Sequence, residues 1–283
     1  MEINKVAIIG EGGMGRGLCI VFARAGLEVI WKGLRERLLK KSMVRLNENI
    51  EQRIKKFEFT DVEKKIILSK ISTTIDIDLV TDADFIIEAI TEDLALKREL
   101  ITELEDVCDD SVIFASNTST CSITDLASDI KHPERVIGMI FHYPPSQREV
   151  VEIVRGQKTS DETYRVVKNL ASFLGKTTVD VYESPGYVAT RAIIPFVNEA
   201  MAILMEDVAT AEDIDTAVKL SNNMSQGPLE LADYIGLDNL LKDMTILFKE
   251  LGDPKFRPSP ILRKMVREGK LGKKTGVGFF EYK

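Results

Sequence analysis

KVAIIGEGGMGRGL, residues 5–18, is the stretch whose reading decides the fold. Its first six residues, KVAIIG, form a short run rich in Val and Ile that stops on glycine. Helix-like sequence follows through Cys19–Ala25. Between strand and helix, Gly10, Gly12 and Gly15 stand in G-x-G-x-x-G spacing. The first glycine of such a loop permits a tight turn, the second lets backbone approach a pyrophosphate, and the third lets helix and strand pack closely. Free N–H groups and the positive end of the helix then meet the phosphates. Gly10, Gly12, Gly13, Met14 and Gly15 are therefore the candidate dinucleotide cradle.

A second strand is expected at Leu27–Trp31, after Gly26. A dinucleotide-binding chain usually ends this strand on an acid that bonds the adenosine ribose hydroxyls. Here the residues are Trp31-Lys32-Gly33-Leu34-Arg35, with no acid and two cations beside the gap. A carboxylate repels a 2′-phosphate, whereas Lys32 and Arg35 would attract one. The cofactor expected is NAD(P), leaning to NADP, with Gly33 as the permissive position. In the alternative reading both cations are solvated surface groups.

Apolar runs at Asp84–Ile90, Val112–Ala115, Arg135–Phe141 and Val150–Val154 fit a parallel sheet, with charge-rich helical stretches between the early ones. This alternation predicts a Rossmann-type, doubly wound α/β domain. After Thr177–Tyr182 the dipeptide Pro185-Gly186 marks a boundary. Beyond it the chain reads as helical: an apolar stripe over Arg191–Val208, a capping box opening at Thr210, and further helices at Leu240–Leu251 and Ile261–Glu268. The expected division is an α/β domain at 1–184 and an all-α domain at 185–283.

Composition excludes several functions. A net charge of −7 argues against nonspecific nucleic-acid binding. No apolar run reaches the ~18–20 residues of a membrane span. The three cysteines, Cys19, Cys108 and Cys121, form no CxxC pair, which argues for a reducing cytoplasm and against structural zinc.

Several segments together resemble the L-3-hydroxyacyl-CoA dehydrogenase family, especially short-chain 3-hydroxybutyryl-CoA dehydrogenases. They are GEGGMG (10–15), FASNTST (114–120), RVIGMIFHYPP (135–145), VVEIVRG (150–156), PGYVATR (185–191), NEA (198–200), GPLELADYIGLD (227–238) and LGKKTGVGFF (271–280). The resemblance implies a homodimer built through the helical domain, and oxidation of the 3-hydroxyl of an acyl thioester with hydride passing to NAD. It places cofactor contacts at Gly10, Gly12, Gly15, Glu92, Lys97, Ser119 and Lys274. Asn117 shares the loop of Ser119, which also contacts the substrate hydroxyl. Glu152 matches the glutamate that orients the catalytic histidine, and Asn223 is retained in SNNMSQGPL. Other positions depart from the pattern. The catalytic histidine falls on Ile140, the following amide on Tyr143, the catalytic Asn on Thr190, and a His-Pro pair on Met224-Ser225. The ribose-binding acid falls on Gly33, and a CoA-contacting serine on Glu51.

The chain has only two histidines, and His132 precedes Pro133 in a turn. His142 lies two residues beyond Ile140, on the same strand face and roughly 6–7 Å along it. With Glu152 available to orient it, His142 is the candidate replacement base, with Ser119 and Asn223 holding the reacting group. Its other reading is a strand-end histidine bonded to backbone. Two functions follow: an NAD(P)-dependent oxidoreductase acting on a 3-hydroxyacyl or 3-oxoacyl thioester or related β-substituted acid, carried by CoA or a carrier protein; or an inactive homologue that binds dinucleotide or acyl thioester in a regulatory or assembly role.

Overall fold

The structure, a computed structural model, describes residues 3–282. The chain divides between Glu183 and Ser184 into two compact units.

The first unit is an eight-stranded sheet in the order β3-β2-β1-β4-β5-β6-β7-β8. The strands are β1 (Lys5–Ile9), β2 (Glu28–Lys32), β3 (Ile71–Thr74), β4 (Phe85–Glu88), β5 (Ile113–Ser116), β6 (Val136–Phe141), β7 (Val150–Arg155) and β8 (Thr177–Tyr182). Between them run helices α1 (Gly13–Arg24), α2 (Glu36–Lys55), α3 (Asp61–Ser69), α4 (Leu94–Val107), α5 (Ile123–Leu126) and α6 (Asp161–Phe173). Strands β1 and β4–β6 are almost wholly buried, as continuous Val/Ile/Phe runs covered on both faces require. Their core is shared with Leu18, Phe22, Trp31, Leu46 and Ile50.

The sheet is parallel except that β6 and β7 pair antiparallel, with Ile140 opposite Glu152. A fully parallel sheet, as read from the sequence, is ruled out by chain length. Residues 142–149 join β6 to β7, and a parallel crossover needs about a dozen residues or more. The edge strand β3, ISTT, was not anticipated, because its half-polar, half-exposed sequence carries no apolar run.

Because β1, β2, β4, β5 and β6 run the same way, their C-terminal ends open on one edge. Strand order reverses at β1, between β2 and β4, and such switch points form the ligand crevice of doubly wound sheets.

The second unit holds α7 (Ala189–Met205), α8 (Ala211–Ser221), α9 (Pro228–Ile235), α10 (Leu237–Leu251) and α11 (Pro260–Arg267). Thr210 caps α8 by accepting from Asp213 N–H. Ile194, Val197, Met201, Leu229, Leu240, Met244, Leu247 and Phe256 make its core. Asp233, 1% exposed, accepts from the N–H groups of Phe279 and Phe280 and from the Tyr282 hydroxyl, anchoring the C-terminal segment.

Candidate active site

The glycine loop is built by close backbone packing. Gly10 has φ +123, and a Cβ there would meet the Ala89 carbonyl oxygen at 2.6 Å. A Cβ on Gly15 would lie 1.9 Å from the Gly10 carbonyl oxygen. The buried indole of Trp31 donates to that same carbonyl at 2.9 Å, tying β2 to the loop. Gly12 is different: a Cβ there would meet nothing within 4 Å. It is the N-cap of α1, with no side-chain cap and no acid in the first turn. The first N–H groups of a helix lack intrahelical partners, so an open, uncapped, acid-free start suits the phosphates of a dinucleotide.

At the β2 end, Lys32 is only 6% exposed, so its cation is not a projecting phosphate contact. Arg35 is exposed at the N-cap of α2. Gly33 is tightly lodged: a Cβ there would lie 2.9 Å from Leu39 Cβ. Space at Gly33 is thus filled by α2, beyond the loss of an acid.

Glu92 organises the loop after β5. Its Oε1 accepts from the N–H of Ser119 at 2.9 Å, the N–H of Thr120 at 2.7 Å and the Thr120 hydroxyl at 2.8 Å, and from the Thr118 hydroxyl. Lys97 is fully buried; its Nζ lies 2.8 Å from both oxygens of Glu88 and 3.5 Å from Glu92. Burial alone would push the Glu92 carboxyl up, but the Lys97 ammonium and the Thr118 and Thr120 donors outweigh it and hold it below its ordinary value. Lys97 titrates above its ordinary range because Glu88 and Glu92 overcome the cost of burying its charge. With no exposed surface, Lys97 is held beneath the loop by Glu88 and Glu92. Sequence reading missed Glu88, although a lone acid ending the apolar strand FIIE is the signal of a buried pair.

Asn117 joins that loop to β6: its Oδ1 accepts from Phe141 N–H at 2.8 Å. Next along the chain stands His142, with Nε2 3.1 Å from Glu152 Oε1. The antiparallel register explains the contact. Ile140 is the direct partner of Glu152, so His142 is its diagonal neighbour on the same face, within reach of long side chains. Glu152 is 3% and His142 23% exposed at the side chain. The carboxylate is therefore buried and the imidazole reaches solvent. With Glu152 accepting from Nε2–H, Nδ1 is the nitrogen able to take a proton. Tyr143 lies over the glycine loop, its Cε2 3.3 Å from where a Gly13 Cβ would stand. Ile140, 2% exposed, is packed as an aliphatic core residue.

The first unit thus gathers Gly10–Gly15, Glu92, Asn117, Ser119, His142 and Glu152 about one sheet edge. In the second unit Asn223 is exposed with φ 51, a left-handed turn conformation that Asn tolerates. Lys274 is ion-paired with Asp238. Among the described residues no cluster of His, Cys, Asp and Glu could hold a metal ion, and no helix is long and apolar enough to cross a membrane.

Fold, switch point and glycine loop define a dinucleotide-binding α/β unit followed by a helical one. Residues 5–184 match the 3-hydroxyacyl-CoA dehydrogenase NAD binding domain, and residues 186–282 the C-terminal domain of the same family. A 3-hydroxybutyryl-CoA dehydrogenase of Clostridioides difficile is 41% identical, over 98% of this chain and 99% of that protein. Two crystal structures cover both chains fully: (S)-3-hydroxybutyryl-CoA dehydrogenase from Ralstonia eutropha, 39% identical with a TM-score of 0.87, and FadB2 from M. tuberculosis, 34% identical with a TM-score of 0.95. The chain belongs to the 3-hydroxyacyl-CoA dehydrogenase family.

Proposed function

We propose that the chain is an NAD-dependent oxidoreductase acting on a 3-hydroxyacyl thioester, with its proton relay at His142 and Glu152. The observation that carries this reading is the 3.1 Å contact between His142 Nε2 and Glu152 Oε1 at the C-terminal end of β6. Buried Glu152 fixes the orientation of the ring, a part a carboxylate plays beside an acid–base histidine. His142 Nδ1 then takes the proton of the 3-hydroxyl, or returns it to a 3-oxo group in reduction. The cofactor supplies the hydride acceptor when bound. Gly10, Gly12 and Gly15 hold its phosphates, while Glu92 and Asn117 set the loop that carries Ser119.

A second reading, a ligand-binding homologue without dehydrogenase activity, draws on one observation. Ile140 places a buried aliphatic group directly opposite Glu152, where the family resemblance puts the imidazole. Turnover of 3-hydroxybutyryl-CoA with NAD distinguishes the two readings. Slow but measurable oxidation is expected, because the imidazole stands one pleat further along the strand. The double substitution Ile140→His with Thr190→Asn is expected to raise kcat on this substrate by ~10²-fold or more, the lower end of a well-placed base. If the unmodified protein shows no turnover and the double variant gains none, the oxidoreductase reading fails.

We also infer a homodimer. In the second unit Met205 (45%), Val208 (67%), Leu220 (72%) and Phe248 (37%) expose apolar surface. Sedimentation at micromolar concentration is expected to give twice the chain mass; a monomer would refute it.

A further inference from the structure

A carboxylate from the glycine loop reaches the end of β2. Glu11, inside GEGGMG, extends across to that strand end, where its Oε2 accepts from Leu34 N–H at 3.0 Å. Its backbone carbonyl accepts from the Ser42 hydroxyl of α2, so the residue is held at both ends. The side chain is only partly exposed, and among the described residues its Oε1 takes no hydrogen bond. One carboxylate oxygen therefore braces the chain just past Gly33 while the other is left for a further donor. Meanwhile Leu39 fills the space that a side chain at position 33 would need.

We infer that Glu11 is the specificity-determining residue for the cofactor: its carboxylate accepts the adenosine ribose hydroxyls and excludes a 2′-phosphate. This deepens, and rests on, the reading of the loop as a nicotinamide dinucleotide site. A ribose diol offers two O–H donors to a carboxylate, whereas a phosphate in its place sets negative charge against negative charge. Lys32, largely buried, cannot project to offset that repulsion. Arg35 is exposed at the start of α2, where solvent screens its attraction. The acid thus prevails over the two cations, which reverses the lean toward NADP read from the sequence.

Glu11→Gln isolates the charge, because a glutamine side-chain oxygen still accepts from Leu34 N–H and keeps the brace. Fluorescence titration of the full-length protein with NADH and with NADPH measures the effect, alongside a thermal melt of each variant. Unmodified protein is expected to prefer NADH by at least ~tenfold, the worth of one charge-assisted hydrogen bond. Glu11→Gln should weaken NADH and strengthen NADPH until the preference is lost, at an unchanged melting temperature. Arg35→Ala, a control that leaves the brace untouched, should alter neither affinity. If both cofactors bind and Glu11→Gln leaves their ratio unchanged, or if Arg35→Ala selectively weakens NADPH, the assignment to Glu11 falls and the dinucleotide reading stands. If neither cofactor binds the unmodified protein at millimolar concentration, both fall together.

Discussion

His142→Ala is expected to lower kcat by ~10²–10⁴-fold, the usual contribution of a positioned acid–base group, and to leave the dissociation constant of NADH unchanged. The separation follows from placement. His142 contacts Glu152 on β7, whereas the proposed phosphate cradle is the glycine loop, where Gly10 packs on Ala89 and Gly15 on the Gly10 carbonyl and Trp31. Loss of the imidazole removes the proposed proton acceptor without touching that packing. Glu152→Gln supplies the intermediate case. It keeps a hydrogen-bonding group beside Nε2 and leaves the imidazole itself in place, so its kcat should fall by less than that of His142→Ala. Steady-state kinetics on 3-hydroxybutyryl-CoA, with cofactor affinity measured separately, tests both. Brisk oxidation by the unmodified protein and by His142→Ala alike would identify His142 as an ordinary strand-end histidine.

Glu92→Ala should destabilise the protein by about 3–5 kcal/mol, mainly because several donors lose their acceptor at about 1–3 kcal/mol each. The loss has two sources. Lys97, with no exposed surface, is left with Glu88 as its counter-charge. In addition, the donors of Thr118, Ser119 and Thr120 lose their common acceptor. At roughly 2–4 °C per kcal/mol for a chain of this size, the melting temperature should fall by about 10 °C. The pH dependence has a definite sign. Glu92 titrates below its ordinary value of 4.5 in the folded state, so its stabilisation is whole above that value and is lost as the pH falls through the lower, folded one. The gap between unmodified protein and Glu92→Ala in denaturant midpoint should therefore be full at pH 7 and shrink as the pH falls below the ordinary carboxyl value of 4.5. A gap that persists unchanged in acid would show that the Glu92 charge contributes nothing and that only its hydrogen bonds matter.

Sequence alone was enough for the elements whose signal is local. The loop at Gly10–Gly15 is written in adjacent residues, and its glycines answer to close backbone contacts, 1.9 Å at Gly15 and 2.6 Å at Gly10 for any added Cβ. Buried strands such as FIIE and VIGMIF announce themselves by continuous apolar residues. The half-polar β3 carries no such signal, and the direction of β7 was legible only in the length of the link before it.

Tertiary structure decided what depends on residues distant in the chain. Glu92 and Lys97 read as ligand contacts when taken singly; the fold shows them joined with Glu88 in a buried network that shapes the loop carrying Ser119. Lys32 and Arg35 read as a pair of cations, until packing buried the first and brought Glu11 to the end of β2. Whether His142 has a partner turned on the register of β6 against β7, which sets it diagonally across from Glu152. The physical reason is common to all three. Steric demands of glycine and the burial of apolar runs act between near neighbours and leave a pattern in the sequence. Pairing of charges acts over a few ångströms between residues that only folding brings together, so the sign and partner of each charge are set by three-dimensional packing.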